Sequence, residues 1–367
     1  MKILLIEPFY GGSHKHWADN FKKYSQHEVE ILALPDKFWK WRMHGAAVTL
    51  AEEFLNRKNY PDLIITTDML DLCVFQALTK SKTSNIPFVL YFHENQLTYP
   101  WSPTDEDISK ERNHHYGFIN YTSALAANKI LFNSQYHLES FTNALTPFLK
   151  KFPDHQNLEN VAKIKSKSKV LYPGVDIAKL HQLKPEKIEP ANRAVILWNH
   201  RWEYDKNPAR FFEILFELQK RGVEFKLIVL GEKNKKYPPI FDKAKEQLKD
   251  FIIHWGYVES FEQYAHLLWQ ADILLVTSNQ DFFGISIVEA MACDVFPLLP
   301  NRLAYPEHLP KAYAKTFLYE EKENLANRLQ RLIFDVKIIR KQNIHQWVMQ
   351  YDWETIIKEY DKFVLKP

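Results

Sequence analysis

A chain of 367 residues is too long for one ordinary hydrophobic core and, at roughly 150 residues per domain, divides into two. Charged residues make up 25% and hydrophobic residues 46%, the balance of a soluble globular protein, and no window approaches the roughly 20 apolar residues of a membrane span. Lys plus Arg number 48 against 45 Asp plus Glu, a net charge of +3, which argues against a surface coated throughout by nucleic acid and leaves room for a local basic patch.

The first element is the strand KILLIE (2–7), whose apolar run stops at Glu7 and Pro8, too short for a signal peptide. Gly11 and Gly12 follow, ahead of the helical pattern SHKHWADNFKKY. Glycines there let the backbone approach a ligand and aim a helix N-terminus at an anion; a plain strand-to-helix turn uses them equally well. After the strand EVEILAL (28–34), the helix-poor stretch DKFWKWRMHGAA (36–47) sets Phe38, Trp39 and Trp41 beside Lys37, Lys40 and Arg42. That composition suits base stacking with phosphate contacts, a membrane surface, or a cap on the first sheet.

A helix AAVTLAEEFLNR (46–57) leads to the strands DLIITT (62–67) and PFVLYF (87–92). Directly after the second comes HENQLTYPW (93–101), with His93, Glu94, Asn95 and Gln96 at the strand end where parallel sheets place active sites. A helix from Tyr116 to Asn128 and the strands KILFNS (129–134) and KVLYP (169–173) complete the half. The basic run KIKSKSK (163–169) is a solvated connection or a phosphate contact. The polar, two-proline segment 176–193 has no strand pattern and reads as a linker. The expected domains are 1–177, joined by a C-terminal helix of about 351–367, and 190–350.

The rhythm then restarts with AVILWN (194–199), FKLIVLG (225–231), FIIHWG (251–256), DILLVTS (272–278) and VFPLL (295–299). Two successive sets of βα units predict two doubly wound, Rossmann-like domains with ligands at the strand ends. In NHRWEYDKNP (199–208), Arg201 and Lys206 suit a diphosphate, and removing either is expected to slow turnover with the fold intact. In SNQDFFGISIVEAMACD (278–294), Gly284 permits a turn into a helix starting near Ile285, and Glu289 lies in reach of vicinal hydroxyls. The final segment YDWETIIKEYDKFV puts Trp353, Ile356, Ile357, Tyr360 and Phe363 on one helical face. Cys73 and Cys293, the only cysteines, fit a reducing cytoplasm without disulfides. No His/Cys cluster with ligand spacing occurs, and the adjacent His114 and His115 diverge on a helix.

Together these stretches resemble the retaining GT-B glycosyltransferases of family 4: a Gly-Gly loop, a later strand-end His, an Arg-x4-Lys loop and a Glu-x7-Glu motif, here with Asp281 in the first acidic position. The blocks GGSHKHW, FHENQLTYPW, YGFINYTSALAANKILFNSQYH, LWNHRWEYDKNP, HWGYV and FFGISIVEA are similar, more narrowly, to the tRNA-queuosine α-mannosyltransferases. The resemblance implies two domains facing a central cleft, with the C-terminal helix crossing back to the first. It implies transfer of mannose from GDP-mannose, with retention and without metal or other cofactor, to the cyclopentenediol of queuosine in the anticodon of tRNA(Asp). Catalytic roles then fall to His93, Arg201, Lys206 and Asp281. Donor contacts fall to Gly11, Gly12, Asn199, Tyr257, Val258, Phe283, Gly284, Ile285 and Glu289, and acceptor contacts to His14, Glu94, Asn95, Trp39, Trp41 and Arg42. Neither a membrane nor an obligatory protein partner is expected. A lipid, glycan or small-molecule acceptor is the alternative within the reaction class; an epimerase, a hydrolase and a binding module that has lost catalysis are the alternatives outside it.

Overall fold

Every apolar run of the sequence becomes a strand of one of two parallel sheets in the computed structural model, which describes residues 1–102, 105–109, 114–186, 193–233 and 237–364. The first sheet contains β1 (Lys2–Tyr10), β2 (Glu28–Pro35), β3 (Leu63–Thr67), β4 (Phe88–Phe92), β5 (Lys129–Phe132) and β6 (Ser168–Val170), in the order β2-β1-β3-β4-β5-β6. The second contains β7 (Ala194–Asn199), β8 (Phe225–Leu230), β9 (Ile252–Gly256), β10 (Ile273–Leu275), β11 (Phe296–Pro300) and β12 (Leu318–Tyr319), in the order β12-β11-β10-β7-β8-β9. β12 escapes the sequence reading because two residues carry no periodicity.

β3, β4, β7 and β11 are buried at every position, since helices cover both faces of a parallel sheet. In each sheet the chain leaves one side of its first strand and returns to the other, which puts the switch points beside β1 and β7. Ligands of doubly wound sheets bind outside the strand ends at such points. Contacts divide the chain into one unit of Met1–Gly174 with Trp353–Pro367 and a second of Val175–Asp352. Among the described residues no helix is long and apolar enough to cross a membrane.

Three departures from the sequence reading bear on function. First, 36–47 is not helix-poor: the helix expected from residue 46 runs over Trp39–Leu55 and buries Met43, Ala46, Ala47, Leu50, Ala51 and Phe54, one stripe at helical spacing. Its entry is hidden because Phe38, in the left-handed region at φ 57, stands where a Ser, Asp or Asn cap would signal a start. Second, the expected linker contains a helix, Ile177–Gln182, whose Ile177 and Leu180 are buried; residues 187–192 of that stretch lie outside the described residues. Third, the basic run 163–169 is mostly structured: Ile164 is buried in the Asn160–Ser166 helix, and the Lys167 ammonium donates to the carbonyls of Leu125 and Ala127.

The C-terminal helix Trp353–Val364 packs on the first unit along the expected face. Trp353, Ile356, Ile357 and Tyr360 are buried, and Phe363 is half-buried beneath the Lys129 ammonium. The Trp17 indole donates to the Tyr360 hydroxyl at 2.9 Å, which itself donates to the Tyr172 carbonyl at 2.9 Å, and Ser25 donates to Asp361 at 2.6 Å. Burying Trp353 and Tyr360 stabilises this docking by about 1.5–3 kcal/mol each.

Candidate active site

In the first unit the ends of β1 and β4, neighbours across β3, meet the first turn of the Gly12–Tyr24 helix. Glu7, fully buried near the end of β1, accepts from Thr67 Oγ1 and the Phe9 amide through Oε1, both at 3.0 Å. Its Oε2 faces His14 Nδ1 at 3.3 Å and His93 Nε2 at 3.9 Å. All three facing atoms are buried and have no hydrogen-bond partner among the described residues. The His14 and His93 rings lie 4.2 Å apart, and Trp17 meets His93 edge-on at 4.7 Å. Asp68, just past β3, holds the next loop in place: its Oδ1 accepts from the His93 and Glu94 amides at 2.7 and 3.3 Å.

The charges in this cluster are strongly biased. Burial alone would lower His14, but the Glu7 carboxylate outweighs it and lifts His14 to about 9, so it carries a proton at neutral pH. His93 moves well below its usual value, first through burial and then through the His14 and His137 charges, and stays neutral. Burial, reinforced by the Glu94 carboxylate, pushes Asp68 up. Glu7, His14 and His93 offer one ligand atom each within 4.8 Å of one another, a group able to hold a divalent cation that the spacing 7, 14 and 93 does not announce. A metal there would first have to displace the proton on His14.

In the second unit the loops after β7 and β10 are tied together by Lys206. Its ammonium donates to the Gln280 carbonyl at 2.6 Å and to Asp281 Oδ1 at 2.8 Å, and lies 3.0 Å from Asp205 Oδ2. Asp281 Oδ2 accepts from the Tyr305 hydroxyl at 2.5 Å. Burial opposes charge on both groups, yet the pair wins: Lys206 is held above its ordinary value and Asp281 below its own, chiefly by one another. Arg201 is exposed, with Nη1 3.2 Å from Glu203 Oε1.

Asn199 at the end of β7 donates from Nδ2 to the Tyr264 hydroxyl at 2.8 Å and to the Ser286 carbonyl at 2.9 Å. Tyr264 donates in turn to Glu289 Oε2 at 2.6 Å. Asn199 and Glu289, expected separately at the donor, thus share one network. Gly284, at φ 90, forms the left-handed entry to the Ile285–Ala292 helix, a conformation that favours glycine. Phe283 is buried just before it, where its carbonyl contacts His308 Nε2 at 2.7 Å. Tyr257 is exposed and Val258 half-buried after β9.

Several expected site residues do other work. A Cβ at Gly11 would fall 1.9 Å from Asp36 Oδ2, so its bare backbone admits a protein carboxylate; a Cβ at Gly12, at φ 49, would meet nothing within 4 Å. Asn95 is fully buried and its Oδ1 accepts from the Leu97 and Thr98 amides, closing the loop on itself. Glu94 accepts from Gln96 Nε2 at 2.8 Å. Trp39 is half-buried and packs against the core, with its ring 6.0 Å from Trp101 and 5.2 Å from Tyr116. The sequence reading missed Glu7, Asp68, Asp205, Tyr264 and Tyr305. Glu7 and Asp68 had a visible signal, an acid ending an apolar strand run; the others had none.

The family comparisons divide at nearly the same place as the structure. Residues 2–175 match the model of the tRNA-queuosine alpha-mannosyltransferase N-terminal domain, and residues 181–345 that of the group 1 glycosyl transferases. The tRNA-queuosine alpha-mannosyltransferase of Drosophila melanogaster is 34% identical over 347 residues, 93% of this chain and 89% of that protein. The GDP-mannose:cellobiosyl-diphosphopolyprenol alpha-mannosyltransferase of Xanthomonas oryzae is 24% identical over 180 residues, 45% of each chain. Among solved structures, HepE of Anabaena in complex with UDP superposes with a TM-score of 0.66 at 18% identity over 100% of both chains, which shows the GT-B fold. The chain is therefore a glycosyltransferase and belongs to the tRNA-queuosine alpha-mannosyltransferase family.

Proposed function

We propose that this chain moves mannose from GDP-mannose to the cyclopentenediol of queuosine in the anticodon of tRNA(Asp), with retention and without a metal ion. The observation that carries this reading is the match of residues 2–175, because that family model is the one that names the queuosine acceptor. The second half alone would leave the acceptor open, since its family model names no acceptor.

In this reading the second unit holds the donor. Lys206 and Arg201 offset the charge that grows on GDP as the bond between the anomeric carbon and the phosphate oxygen breaks. Asp281 acts by fixing Lys206, and Glu289 with the Tyr264 hydroxyl receives the ribose hydroxyls. The acceptor hydroxyl attacks the anomeric carbon from the face the phosphate leaves, and its proton passes to the departing phosphate oxygen. GDP and mannosyl-queuosine balance the reaction. Neutral His93 hydrogen-bonds the sugar, and the charged His14 with Glu7 fixes its orientation. We place the enzyme in the cytoplasm, in keeping with the free thiols of Cys73 and Cys293.

Labelled GDP-mannose incubated with purified protein tests the proposal. Label is expected on tRNA that contains queuosine and not on the same tRNA lacking it. Equal transfer to queuosine-free RNA, or transfer only to a lipid extract, overturns it; GDP release without any acceptor marks a hydrolase.

A further inference from the structure

The first turn of the Trp39–Leu55 helix divides its two tryptophans between opposite fates. Trp39 turns inward. The Lys40 ammonium beside it is bound to Asp105 at 2.7 Å and to Asp107, so this turn is clamped to the chain that follows the His93 loop. Trp41 remains 63% exposed, and Phe38, one turn earlier, 77% exposed. The Trp41 ring contacts no other aromatic ring among the described residues.

Trp41 is nonetheless held. A Cβ built on Gly45, one turn further along, would fall 2.5 Å from both Cε2 and Cζ2 of the indole. The ring therefore lies down on bare helix backbone at Gly45 and turns a face to solvent. A glycine inside a helix costs about 1 kcal/mol relative to alanine, so its presence here calls for a reason, and seating the indole supplies one. The Arg42 Nε donates to the Pro35 carbonyl at 3.1 Å, while its two terminal nitrogens have no partner among the described residues. Lys37 is exposed just before the helix begins.

We propose that Trp41, seated on Gly45, is a stacking platform for an unpaired nucleobase of the RNA acceptor, with Arg42 and Lys37 meeting the adjoining phosphates. This rests on tRNA being the acceptor. A π face held flat suits any base, and nearby cations suit the backbone that carries it. A lipid surface fits less well: membrane insertion needs apolar side chains that protrude, and the Trp41 indole lies flat on Gly45.

The test compares wild type, Trp41→Ala, Trp41→Phe and Gly45→Ala on a queuosine-containing anticodon stem-loop and on free queuosine nucleoside. The readout is the ratio of kcat/KM for the stem-loop to kcat/KM for the nucleoside. Trp41→Ala is expected to lower that ratio about 5- to 150-fold, the range of one base stack, and Trp41→Phe to restore most of it. Gly45→Ala separates stacking from folding, because alanine favours the helix yet lifts the indole; the ratio should fall while the melting temperature holds or rises. An unchanged ratio in both Trp41→Ala and Gly45→Ala overturns the platform and leaves the acceptor assignment standing. Failure of the wild type to modify any RNA overturns both. Trp41-dependent binding to phosphatidylserine vesicles also overturns the platform, in favour of a membrane contact.

Discussion

Lys206→Ala should destabilise the second unit as well as slow the reaction, against the expectation from sequence that the fold would survive intact. The Lys206 side chain is 9% exposed and those of its partners Asp205 and Asp281 1% and 16%. Neither oxygen of Asp205 has a hydrogen-bond partner among the described residues, so the Lys206 ammonium, 3.0 Å from its Oδ2, is what balances that carboxylate. Removing one member of a buried ion pair costs about 3–5 kcal/mol, because an uncompensated charge stays behind. In a unit of this size each kcal/mol moves the melting temperature by roughly 2–4 °C. The expected drop at pH 7.5 is therefore roughly 6–20 °C, read by calorimetry. The sign with pH is also set. Without the ammonium Asp281 loses the charge that holds it low and shifts upward, so acidification to pH 5.5 narrows the gap to wild type. In the wild type the stabilisation from Asp281, whose folded value is depressed, is present above its unfolded value and is lost only as pH falls through the depressed one. Lys206→Ala/Asp281→Asn should recover part of the loss. Arg201→Ala, at an exposed site, should leave the melting temperature within about 1 °C while lowering turnover 10-fold or more. A Lys206→Ala protein that melts within 2 °C of wild type at both pH values would refute the reasoning.

The stability of the first unit should fall as pH rises from about 6.5 through 9, because the raised folded value of His14 gives stabilisation that is complete below the unfolded value. The amount at stake is roughly 3 kcal/mol; His14→Gln should flatten the profile measured by denaturant unfolding. His93→Ala should lower kcat strongly and leave GDP affinity within about twofold, by calorimetric titration; lost GDP affinity would move His93 to the nucleotide. Gly174→Ala would put a Cβ 2.2 Å from the buried Trp353 ring, so chemical denaturation should show undocking of the C-terminal helix at lower urea than in wild type. Gly231→Ala, at φ 119 with its Cβ 1.9 Å from the His200 carbonyl, should displace the loop bearing Arg201 and weaken GDP binding while the first unit melts as before.

The architecture was legible because its signal is local. Eleven strands showed as apolar runs, and the helix stripes repeat at 3.6 residues whatever they pack against. The strand-end positions of His93, Asn199 and Asp281 followed from the same rhythm. The apolar face of the C-terminal helix was visible too, and resemblance, not periodicity, assigned it to the first unit. The start of the Trp39–Leu55 helix was hidden because its cap is an aromatic residue in a left-handed conformation, for which sequence offers no rule.

Tertiary structure decided what each polar residue faces. Glu7 and His93 are 86 positions apart and meet because β1 and β4 flank β3 with their ends aligned. Lys206 and Asp281 are 75 positions apart and meet because β7 and β10 are neighbours in the second sheet. Two tryptophans separated by a single lysine part ways, one half-buried against Trp101 and Tyr116 and one laid open on Gly45. Burial and charge partners belong to the folded surroundings, and a pattern of neighbours along the chain carries no record of them. The sequence determined which groups stand at the strand ends; only the packing of the sheets and helices determined which are charged, which are neutral and which remain open to a ligand.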